Sequence, residues 1–200
     1  MEHFYQNLGE DWFTYPKFYS RMVSYFTDDC HFVEVGSWKG RSSAYMAVEI
    51  YNSKKKIKFD CIDTWNGSSE HTDPNSPWFN PEIVQNPNWL YEEFLRNVRP
   101  VQNIINPIRK TSSDASAHYD DRSLDFVFID ADHTYESVKE DIACWFPKVK
   151  IGGFIAGHDY NSAKTWPGVC SAVDEFLKLP FLVNNQVYLY DDQLVWCLRK

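Results

Sequence analysis

Carboxylates and imidazoles concentrate in two short stretches, Asp130-Ala131-Asp132-His133 and His158-Asp159. Acids such as Asp130 and Asp159 are hard oxygen ligands. They suit Mg2+, which keeps several waters and takes one or two protein carboxylates. His133 has the side chain of a general base, since an unperturbed imidazole titrates at about 6.5. A third feature is the turn Glu34-Val35-Gly36-Ser37-Trp38-Lys39-Gly40-Arg41-Ser42. Gly36 lets the chain turn where a Cβ would obstruct a ligand, and Gly40 lets the next helix start close to the strand. Trp38 stands in the place of the second glycine of GxGxxG, and no Gly-Lys-Ser/Thr follows. The turn is therefore neither a dinucleotide fingerprint nor a phosphate loop. Asp63 lies 27 residues beyond Gly36, a position from which an acid accepts both hydroxyls of a ribose. Asp60 is the weaker candidate, because it falls inside a strand.

These residues need elements that bring them to one place. The chain alternates short β-rich runs with helical stretches, the pattern of a parallel α/β sheet. Strands are expected at 31–35, 57–62, 104–108, 124–129 and 152–156. Two further runs, 187–190 and 195–198, flank an Asp191-Asp192 turn. Run 124–129 is nearly all apolar, as a strand buried on both faces requires. Helices are expected at 16–26, 40–51, 89–98, 112–119, 135–146 and 169–177. In such a sheet, ligands bind beyond the carboxyl ends of the strands. Those ends fall at 34–36, 63–65, Ser112, 130–133 and 158–160, and four of the five carry an acid. Acids at nearly every strand end make a convergent site. Residues 66–88 differ in character, with Pro74, Pro77, Pro81 and Pro87 around Trp78 and Phe79. The prolines exclude a continuous helix or central strand. A structureless stretch is expected there, serving as a lid or binding loop; a plain surface insertion is the alternative.

The 200 residues are 44% apolar, 24% charged and 17% aromatic, with a net charge of −8. One domain over 1–200 accommodates that length, with residues 1–30 as a helical lead-in. A surface of this sign repels phosphate backbones and anionic bilayers, which disfavours general nucleic-acid or membrane binding. No apolar run approaches the roughly 20 residues that span a bilayer. The N-terminus lacks the basic and apolar regions of a signal peptide. Cys30, Cys61, Cys144, Cys170 and Cys197 are scattered singly and odd in number. Free thiols in a reducing, cytoplasmic setting are expected. The aromatic excess suits a core, a pocket or an interface, and so leaves a homodimer open.

The glycine turn resembles the S-adenosylmethionine loop of catechol-type O-methyltransferases. Residues 125–136, continuing through Gly152-Gly153 to His158-Asp159, resemble the macrocin O-methyltransferase group. Both groups are class I S-adenosylmethionine-dependent methyltransferases, and the resemblance covers about residues 32–177. It implies a Rossmann-like α/β fold: a seven-stranded, mostly parallel sheet with helices on both faces and an antiparallel C-terminal strand. It also implies a cofactor site at Glu34, Gly36, Gly40 and Ser42, with Glu34 and Gly36 facing the amino-acid end. Asp63 would meet the ribose, and Ser112 the adenine, with Ser113 as an adjacent rival. Asp130 would lie beneath the sulfonium and ligate Mg2+ in metal-dependent members, with Asp159 in the second ligand position. His158 stands where relatives carry an acidic or other polar residue, and His133 takes the place of the base. The reaction implied is O-methylation of a small hydroxylated acceptor, such as a sugar or sugar-bearing metabolite. A hydroxyl loses its proton far above neutral pH, so a base or a cation on its oxygen is needed.

Two other function classes fit parts of the pattern. A metal-dependent hydrolase would use Asp130, Asp132, His133, His158 and Asp159, but would leave Gly36, Gly40 and Asp63 without work. A binding module would keep the cofactor pocket without turnover. Single residues also have simpler readings. His133 could cap the helix beginning at Thr134, and His158 could only orient Asp159. Asp132 is expected as a helix N-terminal acid. His31, His71 and His118 show no partner pattern and are expected on surface or loops. Trp38 and Trp65 could wall the cofactor or fill the core.

Overall fold

Seven strands make one sheet: β1 (Cys30–Val35), β2 (Ile57–Asp63), β3 (Ile105–Arg109), β4 (Leu124–Ile129), β5 (Val149–Gly157), β6 (Val187–Tyr190) and β7 (Val195–Arg199). Their order is β3-β2-β1-β4-β5-β7-β6. Strands β1 to β5 run parallel, while β7 is antiparallel to both β5 and β6. This is the mostly parallel, Rossmann-like sheet expected, with the antiparallel strand last in sequence. The structure, a computed structural model, describes residues 1–161, 164–182, 187–190 and 194–200. The expected Asp191-Asp192 turn lies outside the described residues.

Alternation along the strands divides the core between the two faces of the sheet. Phe126 and Phe128 pack with Phe32, Phe59 and Phe154 against α1 (Pro16–Tyr25), α2 (Arg41–Ser53) and α5 (Trp89–Val98). Val33, Val35, Val127, Ile129 and Ile155 pack on the other face against α7 (Tyr135–Trp145) and α8 (Pro167–Leu177). Much of the aromatic excess is therefore core: Trp65, Trp145, Trp196, Tyr15 and Tyr19 are all fully buried.

Pro107 sits in β3, opposite Cys61. A proline is tolerated there because β3 is an edge strand and needs no second ladder. Strand β5 starts three residues earlier than expected. It pairs Leu124 with Val149, and a register shift follows before Phe126 meets Phe154. The glycines inside that irregular stretch hid its strand character.

Residues 66–88 are not structureless. They contain α3 (Ser69–Thr72) and α4 (Pro81–Gln85). The Ser68 and His71 side chains form a reciprocal capping box on α3, and Asn80 accepts the Glu82 N–H ahead of Pro81 at the start of α4. Local caps and a first-turn proline thus hold two short helices where no long one can form. No helix among the described residues is long and apolar enough to cross a membrane.

Candidate active site

The turn after β1 and the turn after β4 touch. Gly36 has φ +87°, and a Cβ there would lie 2.0 Å from the Asp130 carbonyl oxygen. Only glycine permits that approach. A Cβ on Gly40 would meet Val98 Cγ1 at 2.7 Å, so its role is to let α2 begin against α5. Asp63, at the end of β2, locks the glycine turn. Its Oδ2 accepts the N–H groups of Ser37 (3.0 Å) and Trp38 (2.9 Å), and its Oδ1 accepts Trp65 N–H (2.7 Å). Burial raises the Asp63 pKa against these three donors. Trp38, Trp65 and Asp159, at the carboxyl edge of the sheet, have positive φ without being glycines.

The ends of β4 and β5 carry the acid–imidazole cluster. Asp130 Oδ2 accepts the Tyr15 hydroxyl at 2.7 Å. His158 Nδ1 lies 3.8 Å from Asp130 Oδ1 and 3.4 Å from Asp159 Oδ2, while its Nε2 is bonded to Thr14 Oγ1 at 2.9 Å. His133 is held on both nitrogens: Nε2 lies 3.1 Å from Asp159 Oδ2, and Nδ1 3.2 Å from Glu70 Oε1 of α3. Its ring stacks on Trp166 at 3.9 Å. One donor atom each from Asp130, His133 and Asp159 falls within a 4.8 Å span, a grouping that could hold a cation.

Electrostatics separate the two acids. Burial raises Asp130, reinforced by the Asp159 charge and opposed by His158. Asp159 is held well below the usual range because bonds from His133 and His158 outweigh burial. Such divergence within a pair of carboxylates is a property of working sites. His133 departs from the expected titration near neutrality. Burial disfavours its charge, but the bond to Asp159 and the charges of Asp130, Asp159 and Glu70 prevail, pushing it up to about 9. His158 is also raised, by Asp130 and Asp159 against burial. His133 does not cap α7. Thr134 does so, its Oγ1 accepting the Ser137 N–H, and Asp132 accepts the Thr134 N–H at 2.8 Å.

These groups surround a cavity of about 540 Å³, within the size range of small-molecule sites. Of the residues singled out from sequence, Gly36, Asp63, Ser112, Asp130, His133, His158 and Asp159 line it. The Ser112 hydroxyl accepts Trp145 Nε1–H at 2.8 Å. Glu34, Gly40 and Ser42 are not among the described lining residues. Glu34 is 1% exposed and accepts the hydroxyls of Tyr19 (2.8 Å), Ser37 (3.0 Å) and Ser43. The Glu34 carboxylate thus ties α1 and α2 to β1. Burial raises its pKa despite these donors.

His71 also differs from expectation. It lines the cavity and packs on Trp38 with ring centroids 4.3 Å apart. His31 is paired with Asp60 at 2.7 Å, far from a free surface histidine. Trp38 walls the cavity with Trp12, Trp78 and Trp166, whereas Trp65 belongs to the core. Thr14, Tyr15, Trp12 and Trp166 were not legible as site residues. Only the tryptophans left a trace, as aromatic excess.

A family model described as a methyltransferase domain matches residues 33–160. Over 155 residues, 75% of this chain, the sequence is 28% identical to "Uncharacterized protein R132" of Acanthamoeba polyphaga mimivirus, and the match spans 60% of that protein. Among solved structures, the O-methyltransferase NovP aligns with a TM-score of 0.68 at 19% identity, covering 94% of this chain and 79% of that chain. MycE methyltransferase from the mycinamycin biosynthetic pathway, solved with Mg, SAH and mycinamycin VI, aligns with a TM-score of 0.56 at 16% identity. That alignment covers 98% of this chain and 51% of MycE. At such identities the structural likeness is one of fold.

Proposed function

The chain belongs to the methyltransferase domain family, whose model spans residues 33–160, and from that premise we propose that it methylates a hydroxyl of a small acceptor. As a methyltransferase it draws the methyl from S-adenosylmethionine. The acceptor class we favour is a sugar or sugar-bearing metabolite, with a divalent cation such as Mg2+ assisting. One observation carries this reading: the glycine turn, Asp63 and the Asp130–His133–His158–Asp159 cluster open into a single cavity. A hydrolase would leave the first two of these without a role.

S-adenosylmethionine supplies a methyl already activated on a sulfonium. The protein's first task is therefore alignment of methyl and nucleophile. Asp63 fixes the Ser37 and Trp38 backbone through its Oδ2, and its remaining acceptor capacity suits a ribose hydroxyl. The Ser112 oxygen, already accepting from Trp145, has a second lone pair for an adenine amino group. Asp130, at the contact between the β1 and β4 turns, would supply negative charge to a sulfonium bound there.

The second task is removing the acceptor proton. The donor set fits a divalent cation: Asp130 and Asp159 offer carboxylate oxygens that group with the His133 imidazole within 4.8 Å, so the two acids would be the ligands and His133 would stand beside the cation as the base. Such a cation would lower the acceptor hydroxyl's pKa and engage the carboxylates that keep His133 protonated. His133, fixed by Glu70 and Trp166, would take the acceptor proton at Nε2 while the methyl passes from sulfur to the acceptor oxygen. Trp12, Trp78 and His71 provide flat surface for covering the acceptor and excluding water.

Incubating the protein with S-adenosylmethionine, Mg2+ and a panel of sugars, phenols and amines tests this directly. S-adenosylhomocysteine should appear with hydroxylated members and vanish with EDTA. Methylation of amines alone would replace the hydroxyl reading.

A further inference from the structure

His158 is built into the site as a metal ligand would be. Its Nδ1 lies 3.4 Å from Asp159 Oδ2 and 3.8 Å from Asp130 Oδ1, and the residue is 9% exposed. Nε2 is anchored to Thr14 Oγ1 at 2.9 Å. With the Nε2–H donated to that hydroxyl, a cation between the two carboxylates would displace the Nδ1 proton that otherwise bonds Asp159 and take up the Nδ1 lone pair. Ligating imidazoles are ordinarily fixed by just such a bond on the opposite nitrogen. The ring is also packed against Tyr15, with centroids 4.7 Å apart, and the His158 N–H bonds the Ile129 carbonyl at 3.1 Å. The same Tyr15 holds Asp130 through its hydroxyl. Both members of the pair are therefore oriented by the N-terminal segment, through Thr14 and Tyr15.

Resting on the cation reading above, we propose that His158 Nδ1 is a third protein ligand beside Asp130 and Asp159. The resulting nitrogen–oxygen set selects a dication of the iron-to-zinc series over Mg2+. Mg2+ takes oxygen ligands and gives up water reluctantly, so a fixed imidazole contributes little to it. Iron, cobalt, nickel and zinc dications accept imidazole readily. Because these ions outbind Mg2+ at most nitrogen- or oxygen-donor sites, the diagnostic quantity is the change in preference when the nitrogen is removed.

The experiment uses the full chain saturated with S-adenosylhomocysteine. Calorimetry gives Co2+ and Mg2+ affinities for the wild type, His158→Asp and His158→Asn. Proton NMR of the Co2+-loaded proteins looks for exchangeable imidazole N–H resonances moved far downfield by the metal. The wild type should show such a resonance, and His158→Asn should lose it. In His158→Asp the ratio of Co2+ to Mg2+ affinity should fall by about tenfold or more. A wild-type spectrum without a shifted N–H overturns the proposal and needs no variant to fold. So does a resonance that survives in His158→Asn, or an unchanged affinity ratio in His158→Asp. Failure of the wild type to bind either ion, with S-adenosylhomocysteine still bound, removes the cation reading as well and leaves the methyltransferase reading standing.

Discussion

The Tyr15 hydroxyl donates to Asp130 Oδ2 at 2.7 Å across 115 positions of sequence. This bond joins the N-terminal segment to the end of the central strand β4, at an acid whose charge burial opposes. A donor to a buried carboxylate contributes about 1.5–3 kcal/mol. Tyr15→Phe keeps the ring packed on Phe128 and removes only the hydroxyl. The urea midpoint should drop by the equivalent of that energy, with the slope unchanged. A midpoint equal to that of the wild type would mean that Asp130 is not held by this bond.

Asp63 holds three backbone amides beside its proposed ribose role. Asp63→Ala releases the Ser37, Trp38 and Trp65 amides together. S-adenosylhomocysteine affinity should fall by about tenfold or more, the loss of one charged hydrogen bond or more. Asp63→Asn should fall less, since its carbonyl oxygen can still accept. Calorimetry on both variants decides; equal affinity in Asp63→Ala and wild type removes the ribose role.

The strands and the carboxyl-edge acids were legible because each depends on a few neighbouring residues. Run 124–129 announces a buried strand, and Gly36 with Asp63 follow from where β1 and β2 end. What stayed hidden depends on long-range contacts. Nothing in the local pattern around Thr14 and Tyr15 signals partners 144 and 115 residues away. The charge of His133 was misjudged because Asp130, Asp159 and Glu70 come from three different elements. The bonds of Glu34 to the hydroxyls of Tyr19 and Ser43 were hidden for the same reason, since those groups come from α1 and α2. One overlooked signal was readable. Val138, Asp141, Ile142 and Trp145 form the buried stripe of α7, and an acid inside such a stripe marks a strained position.

That acid makes a pH prediction. Burial, against a hydrogen bond from Ser112, raises Asp141 to about 7. Below about pH 4 the carboxyl is protonated in both folded and unfolded chains. Between about 4 and 7 the unfolded chain releases the proton and the folded one keeps it, so this group's contribution to stability declines as pH rises. Above that window the penalty is constant. Asp141→Asn should match the wild type near pH 4 and exceed it at pH 8 by a few kcal/mol, an order-of-magnitude figure. Urea midpoints measured across that range check the sign. A gap that is the same at every pH would exclude titration of Asp141 as its cause.

Residues 66–88 reach the site at three points, which is the basis for expecting closure. Glu70 holds His133 at 3.2 Å, His71 packs on Trp38, and Trp78 meets Trp12 edge-on with centroids 5.6 Å apart. The last of these contacts is shallow. Trp12 and Trp78 are 43% and 42% exposed, and α3 and α4 are single turns. Ile83 is the segment's one core residue, and Arg109 ties its two ends through Asn66, Pro87 and Asn88, so the part between, around α3 and Trp78, opens at lower cost than the sheet. Its four prolines limit the open states and so lower the entropy lost on closing. An edge-on aromatic pair contributes about 0.5–1.5 kcal/mol, so Trp78→Ala should speed hydrogen exchange across 66–88 roughly two- to tenfold and leave β4 unaffected. S-adenosylhomocysteine and a divalent cation together should slow exchange in the wild-type segment, because ligands in the cavity add contacts only the closed form can make. Exchange in 66–88 that ignores both the variant and the ligands would reduce the segment to a surface insertion.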